Sequence, residues 1–120
     1  VNASVSRPKR GQEESIDVGY SIPLTAAIGN SHTEAVKVLL KAGADVNEID
    51  HNMFATPLCI AVEQHQVEIT RLLLDAGADP NHYLESTPLC LAARNGNTEI
   101  TKMLLDAGAD VNIDMEDNYR

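Results

Sequence analysis

Aromatic residues are scarce in this chain of 120 residues. They make up 3% of it, tryptophan is absent, and Phe54 is the single phenylalanine. A core built around large rings is therefore excluded, although hydrophobic residues still account for 43% of the chain. Leu, Ile, Val and Ala must supply that core, which suits the close packing of slim elements within one modest domain.

Basic side chains are also in deficit, with nine Lys and Arg against 18 Asp and Glu and a formal net charge of −9. Residues 1–20 hold three of each sign, so the whole excess lies in residues 21–120. An acidic body without a basic stripe repels phosphate backbones, and we expect no nucleic-acid partner. No apolar run approaches the roughly 18 residues that a spanning helix needs, so membrane insertion is not expected either.

Cysteine is limited to Cys59 and Cys90, too few for a disulfide framework. A reducing, intracellular setting is the simpler interpretation, and we expect a cytoplasmic location. Arg7-Pro8-Lys9-Arg10 leaves a nuclear location open, because this segment is either a short import patch or part of a solvated linker.

The chain does contain a nine-residue motif that occurs three times: LLKAGADVN at 39–47, LLDAGADPN at 73–81 and LLDAGADVN at 104–112. Prolines recur at steps of 34 and 31 residues, and a glycine follows each of them by 20 residues. The unit from proline to glycine is thus constant in length, which indicates packing units joined by adjustable loops. The prolines are Pro23, Pro57 and Pro88, and the glycines are Gly43, Gly77 and Gly108.

Each unit predicts two helices. Thr56-Pro57 and Thr87-Pro88 place a capping hydroxyl before a proline, as at the start of a helix, and apolar residues follow. A polar break, clearest at 95–97, separates this short helix from a second one that runs from about Glu99 to Ala107. Gly108 then ends the second helix, as a left-handed residue commonly does.

The repeated unit resembles the ankyrin repeat, a helix–turn–helix unit of about 33 residues that carries T-P-L-H-x-A. Thr56-Pro57-Leu58, Thr87-Pro88-Leu89 and three G-A-D-x-N stretches carry the resemblance, which covers residues 21–112. It implies an all-α ankyrin-repeat solenoid of stacked helix–turn–helix units with protruding, hairpin-like loops. It divides the chain into a polar tail or linker at 1–20, repeats at 21–54, 55–86 and 87–112, and the start of a further loop at 113–120. We therefore expect further repeats or domains in a longer parent chain.

The chain departs from the family motif in three ways. The family's histidine after T-P-L is missing in every unit, so we expect weaker polar cross-linking between neighbouring loops. Ile22 stands where a threonine would cap the first helix. The glycine between the two helices survives only as Gly96, and a positive φ would strain its replacements. The histidine positions hold Thr25, Cys59 and Cys90, and the other two glycine positions hold Ser31 and His65.

No combination of residues predicts catalysis, and we expect neither an enzyme nor a cofactor. Cys59 and Cys90 occupy equivalent positions, which favours small apolar residues packed between helices over a redox pair or a metal site. One aspartate recurs in each G-A-D stretch, which favours a local turn role over acid–base chemistry. The histidines fall in turns and loops and have no H-E-x-x-H or C-x-x-C companion. These aspartates are Asp45, Asp79 and Asp110, and the histidines are His32, His51, His65 and His82.

Recognition of another protein remains, because a solenoid presents an extended concave surface made from the same face of each repeat. The resemblance implies contact residues at the loop tips and on the exposed side of the first helices. Their acidic surroundings favour a basic or mixed-charge partner. The first loop offers Asp50, His51, Asn52, Met53 and Phe54; the second offers His82, Tyr83, Leu84 and Glu85; the first helices offer Gly29, Asn30, Glu63, Gln64, Arg94 and Asn95.

Met53-Phe54 and Tyr83-Leu84 place apolar side chains at polar loop tips. They either anchor a partner, since aromatic residues are enriched at binding hot spots, or fold back onto the neighbouring repeat. Both interpretations stay open at this point. Likewise, the chain is either a protein-binding scaffold or adaptor, or a structural spacer or regulatory segment within a larger multidomain protein.

One modification is implied by the resemblance alone. Some ankyrin repeats are hydroxylated on asparagine by an oxygen-dependent hydroxylase, and Asn47, Asn81 and Asn112 stand at the matching positions. Turn structure would explain the recurrence of these asparagines without any modification.

Overall fold

The computed structural model describes residues 22–113; the predicted tail at 1–20 and all of the predicted loop at 113–120 except Ile113 lie outside this range. Within it the chain forms six α-helices and no strand, which confirms the all-α repeat fold. Three helix–turn–helix units follow one another, here called repeats 1, 2 and 3. Their first helices are α1 (Pro23–Gly29), α3 (Pro57–Glu63) and α5 (Pro88–Asn95), and their second helices are α2 (Thr33–Lys41), α4 (Val67–Asp75) and α6 (Thr98–Asp106).

Threonine caps start two of the three first helices, as predicted. The hydroxyl oxygen of Thr56 accepts the backbone N–H of Cys59 at 3.2 Å, and Thr87 accepts that of Cys90 at 3.1 Å. Proline occupies the first turn of both helices, where its missing N–H leaves no bond unmade. Ile22 supplies no side-chain cap to α1, so this helix lacks the roughly 1 kcal/mol that such a cap contributes.

Each second helix has an acidic start, an apolar side and a glycine stop. A glutamate lies in every first turn, where the helix dipole favours negative charge. Ile69 and Leu73 are buried in α4, and Ile100 and Leu104 are buried in α6. The chain leaves each helix through a glycine in the left-handed region, which confirms the predicted stop. These glycines are Gly43 (φ 96°), Gly77 (φ 99°) and Gly108 (φ 101°).

Neighbouring repeats stack first helix on first helix and second helix on second helix. Repeat 2 is covered on both sides, and every residue from 57 to 62 in α3 is buried. One core cluster runs through the three repeats, and its described members are aliphatic, as the composition predicts. Its largest fully buried side chains include Leu24, Ile28, Leu58, Leu73, Ile100 and Leu104.

The G-A-D-x-N stretch forms a turn and also joins one repeat to the next. In all three copies the aspartate carboxylate accepts the backbone N–H of the asparagine at 2.9 Å, which confirms the predicted turn role. The Asn47 side chain then crosses to repeat 2, donating to the Gly77 carbonyl at 3.3 Å and accepting from the Asp79 N–H at 2.8 Å. Asn81 repeats both contacts with repeat 3, at 3.3 and 2.7 Å. These two asparagines therefore fix the register between repeats.

Two turns carry the backbone strain predicted for them. Ser31 and His65 each have a φ of 61°, in the turn where Gly96 has a φ of 73°. Both side chains contact the following repeat. The Gln66 amide donates to the Ser31 hydroxyl at 2.6 Å, and the Asn97 amide lies 3.5 Å from Nδ1 of His65. Glycine could not provide these contacts, which offset part of the strain.

Candidate partner-binding surface

The first loop between repeats is a tight hairpin that is closed at its base. The backbones of Asp50 and Ala55 pair as an isolated antiparallel bridge, with N···O distances of 2.9 and 3.3 Å. Inside the hairpin, the Asp50 carboxylate accepts the backbone N–H groups of Asn52 and Met53 at 2.9 and 3.1 Å. The predicted hairpin-like shape is confirmed here. The second loop, residues 82–86, has no such bridge in the described part of the chain.

The prediction that Asp50 contacts a partner from the loop tip is wrong. Its side chain is 1% exposed and accepts the Thr25 hydroxyl as well as the N–H groups of the loop. Burial by itself raises the pKa of the Asp50 carboxyl, but hydrogen bonds from that hydroxyl and from three backbone N–H groups outweigh it and lower the pKa. Asp50 is thus an ionised structural group that shapes the loop from beneath.

Thr25 also changes the expectation that the loops are weakly cross-linked without the family's histidine. Its buried hydroxyl joins α1 to the first loop through Asp50, so polar cross-linking is retained in repeat 1. In repeat 2 the Cys59 thiol lies 3.6 Å from the Ser86 carbonyl at the base of the second loop, and a thiol is a weak donor. This cross-link is therefore weaker in repeat 2 than in repeat 1.

The buried environment of Cys59 matches the packing role predicted for it. Its residue is 7% exposed, and burial raises the pKa of the thiol. A neutral thiol is a poor nucleophile and a poor metal ligand. Cys90, at the equivalent position in repeat 3, is half-buried.

Phe54 is held in an uncommon conformation at the end of the first loop. Its φ is 51°, in the left-handed region that is unfavourable for a bulky residue. The Phe54 residue is nevertheless 54% exposed, and Met53 beside it is 49% exposed. Neither belongs to the core cluster. Packing onto the neighbouring repeat therefore accounts for only about half of each surface.

Met53 and Phe54 line a cleft of about 220 Å³ between repeats 2 and 3, here called the loop cleft. The two loops, α3 and α5 all contribute residues to it. The structure thus brings together side chains from four separate segments, which the repeat architecture alone predicted to share one face. Six of the predicted contact residues line the cleft, namely Met53, Phe54, Glu63, Leu84, Glu85 and Arg94.

Charged and apolar side chains both line the loop cleft. Glu63, Glu85 and Arg94 are exposed, and none of them forms an ion pair within residues 22–113. Leu84 and Leu91 are half-buried and add apolar surface beside Phe54. The cleft therefore offers two carboxylates, one guanidinium and several apolar side chains.

Four residues that line the loop cleft were not predicted from the sequence. Leu91 precedes Arg94 by three positions, so helical periodicity places both on one face of α5 and could have identified it. The other three lie at the bases of the loops or inside α3, and local sequence gives no signal for them. These are Ala55, Cys59 and Ser86.

The remaining predicted contact residues do not line the loop cleft. Those at the tip of the first loop are exposed, as are those at the ends of the first helices except for one half-buried glycine. The two in the second loop are half-buried. Exposed are His51, Asn52, Asn30, Gln64 and Asn95; half-buried are Gly29, His82 and Tyr83.

The asparagines predicted for hydroxylation have unequal surroundings. Asn47 and Asn81 use both ends of their side-chain amides in contacts with the next repeat. Asn112 is exposed, and its side chain has no such contact within residues 22–113. Hydroxylation stays a prediction, which intact-mass measurement after expression with the hydroxylase would test.

No group of three or more His, Cys, Asp or Glu between residues 22 and 113 is arranged to hold a metal ion. Among the helices described, none is long and apolar enough to cross a membrane.

Comparison with known proteins identifies one family. The family profile described as ankyrin repeats (3 copies) matches residues 10–83 and 56–115. The two matches overlap in repeat 2 and together span most of the chain. No curated protein matches the sequence.

Proposed function

The chain belongs to the ankyrin-repeat family, and on that premise we propose that it is a protein-binding module that takes its partner in the loop cleft. Ankyrin repeats are generally protein–protein interaction modules, and the family is typically non-enzymatic. One observation carries the proposal: Met53 and Phe54 are held half-exposed on a hydrogen-bonded loop beside a cleft.

The first loop is prepared for binding before a partner arrives. The bridge between Asp50 and Ala55 closes its base, and the Asp50 carboxylate orders two backbone N–H groups within it. A preformed loop loses less conformational freedom on binding than a mobile one. More of the contact energy therefore appears as affinity.

The backbone of Phe54 supports the same function. A residue with a φ of 51° carries strain that a glycine at this position would avoid. Strained residues cluster at recognition and catalytic sites, where the side chain they present is needed. Because a glycine would remove the ring, we infer that the exposed ring is the reason for accepting the strain.

The charges of the loop cleft indicate the chemistry of the partner. Glu63 and Glu85 attract Lys or Arg, and Arg94 favours one carboxylate or backbone carbonyl beside them. The ring of Phe54 favours an apolar side chain in the same cleft. The proposed partner is a protein segment in which a hydrophobic residue lies next to a basic one. Exposed charges act mainly on the association rate, so binding should weaken with salt.

A displayed peptide library panned against the full chain would test this function. We expect enriched sequences with a hydrophobic residue next to Lys or Arg, and binding of a synthetic consensus peptide that weakens from low to high salt. The variant E63K/E85K reverses the charge of the cleft and should lose these peptides. D75K/D106K is the matched control, because it makes the same change at two exposed carboxylates of α4 and α6.

The outcomes separate the candidate functions. If E63K/E85K binds the consensus peptide as well as D75K/D106K does, the partner site lies outside the loop cleft. If the full chain enriches no sequence, the binding function is wrong, and a structural spacer or regulatory segment in a larger protein becomes the better description.

We further propose an intracellular location, cytoplasmic or nuclear. Its support is the pair of free thiols at Cys59 and Cys90, which fit a reducing compartment. Imaging of the tagged protein in its own cells would test the location.

A further inference from the structure

The two interfaces between neighbouring repeats are formed by the same set of polar contacts. A basic residue of one second helix pairs with the first-turn glutamate of the next, Lys37 with Glu68 and Arg71 with Glu99, both at 3.7 Å. The asparagine that closes each repeat also bonds two backbone groups of the next, as described above. The same contacts thus join one repeat to the next twice, in the same register.

The outer side of repeat 3 carries the basic residue and the asparagine that make these contacts in the preceding repeats. Lys102 occupies the position of Lys37 and Arg71, and no carboxylate pairs with it among residues 22–113. Asn112 occupies the position of Asn47 and is exposed, without the contacts that Asn47 makes. Within residues 22–113, both groups therefore lack the partners that their equivalents in the preceding repeats have.

Apolar groups on the same side of repeat 3 are also uncovered. Leu105 is 42% exposed and Val111 is 68% exposed, whereas Val46, the equivalent of Val111 in repeat 1, is 8% exposed. Leu89 and Cys90 join them around a cleft of about 240 Å³. We call this surface, together with the polar groups above, the C-terminal end face.

The outer side of repeat 1 carries the glutamate and the backbone groups that receive these contacts in the following repeats. Glu34 occupies the position of Glu68; it pairs with Lys37 of its own helix at 3.2 Å, and its side chain is still 85% exposed. Val38 occupies the position of Leu72 and is 64% exposed, whereas Leu72 is half-buried. Gly43 supplies the carbonyl that would receive a crossing asparagine. We call this surface the N-terminal end face.

We propose that the C-terminal end face of one copy of this chain docks onto the N-terminal end face of a second copy, which continues the repeat stack between molecules. Lys102 then pairs with Glu34, Asn112 bonds to the backbone at Gly43, and Leu105 packs against the surface around Val38. The charges are complementary and the register is already used twice inside the chain. Such a contact is heterologous, so it leaves a free face at each end and produces open chains.

This contact is weaker than the interfaces inside the chain. Ala26 and Ala35 on the N-terminal end face stand where Ile60 and Ile69 stand in repeat 2, so less apolar surface is buried. Two separate molecules also lose translational freedom that covalently linked repeats do not. We therefore expect association that depends on concentration and not a permanent oligomer.

Sedimentation velocity of the full chain over about a hundredfold range of concentration tests the proposal. The wild-type sedimentation coefficient should rise with concentration, and Val38→Glu or Leu105→Glu should each abolish the rise. Mixing these two variants should restore a complex in a 1:1 ratio, because each retains the end face that the other has lost. This restoration of the complex on mixing is expected only for a head-to-tail contact.

Ala76→Glu is the matched control, because it adds the same charge to an exposed apolar residue of repeat 2, away from both end faces. It should leave the association unchanged, and circular dichroism should show that every variant keeps its helices. Ala35→Ile should strengthen the association, because it restores the larger residue present in repeat 2.

Three results would overturn the proposal. The first is a wild-type chain that stays monomeric at every concentration; if deletion of residues 114–120 then allows association, that segment occupies the C-terminal end face. The second is loss of association in Leu105→Glu but not in Val38→Glu, which indicates a symmetric contact between two C-terminal end faces. The third is failure of the mixed variants to form the 1:1 complex.

Discussion

Replacing Phe54 with glycine separates the backbone of the first loop from the side chain that it presents. Phe54 has a φ of 51° and is 54% exposed, so slightly under half of its surface is buried. Full burial of such a side chain contributes about 1.5–3 kcal/mol, and loss of this partial burial should cost about 1 kcal/mol. Relief of the left-handed conformation should return about 1–2 kcal/mol. The added freedom of glycine in the unfolded chain removes about 0.5–1 kcal/mol.

These contributions nearly cancel, so Phe54→Gly should leave the free energy of unfolding within about 1 kcal/mol of the wild type. Phe54→Ala loses the same packing but keeps most of the backbone strain. It should therefore be less stable than Phe54→Gly by roughly 0.5–1 kcal/mol, although alanine is the larger residue. Urea unfolding followed by far-ultraviolet circular dichroism measures both values without needing tryptophan.

Binding should respond differently from stability. Both variants remove the ring, and each should lower the affinity for the consensus peptide by about tenfold or more if Phe54 is a hot spot. Equal stability losses of about 3 kcal/mol in both variants would refute the reasoning, because they would place the ring in a packed core. Unchanged peptide affinity in both variants would remove Phe54 from the proposed binding surface.

Three further predictions follow from the hydrogen bonds. Asp50→Asn should lower stability at neutral pH by about 1.5–3 kcal/mol and flatten the acid limb of a urea stability curve. Because the pKa of Asp50 is lowered in the folded chain, its contribution to stability is present above the unfolded pKa of about 3.9 and is lost as pH falls through the lower folded pKa. A steep acid limb in the variant would contradict this prediction. Asn81→Ala should cost about 1 kcal/mol or more in urea unfolding, whereas Asn112→Ala should cost clearly less, and equal losses would deny Asn81 its role between repeats. His65→Gly should raise the thermal midpoint more than Ser31→Gly does, because His65 gives up only a 3.5 Å contact while Ser31 gives up a 2.6 Å hydrogen bond, and the reverse order would count against that explanation.

The helices and their ends follow from local rules and were predictable. Thr56 and Thr87 cap helices because the capping hydroxyl needs only a backbone N–H three residues away. The recurring glycine stops and the aliphatic core follow in the same way from spacing and composition. The strain at Ser31 and His65 was also predictable, since equivalent positions in repeats share one backbone conformation.

What the sequence could not show depends on contacts across the stack. Asp50 looks like any polar loop residue until Thr25, 25 positions earlier, brings a hydroxyl to it in the folded chain. The crossing bonds of Asn47 are equally invisible, because their partners lie 30 and 32 residues away. The loop cleft was predictable as a face but not as a cavity, since its shape depends on how the two loops and two helices meet.

The hydrogen bond between Thr25 and Asp50 has a consequence for the thermodynamics of recognition. It makes the first loop depend on α1, which among the first helices α1, α3 and α5 is the one without a side-chain cap. In repeat arrays each unit contacts only its neighbours, so one unit can fray while the others stay folded. Each fraying event would release the loop, and the apparent dissociation constant would rise in inverse proportion to the fraction of molecules with α1 docked. A partner that binds the loop therefore also stabilises the docked state of α1, without having to contact that helix directly.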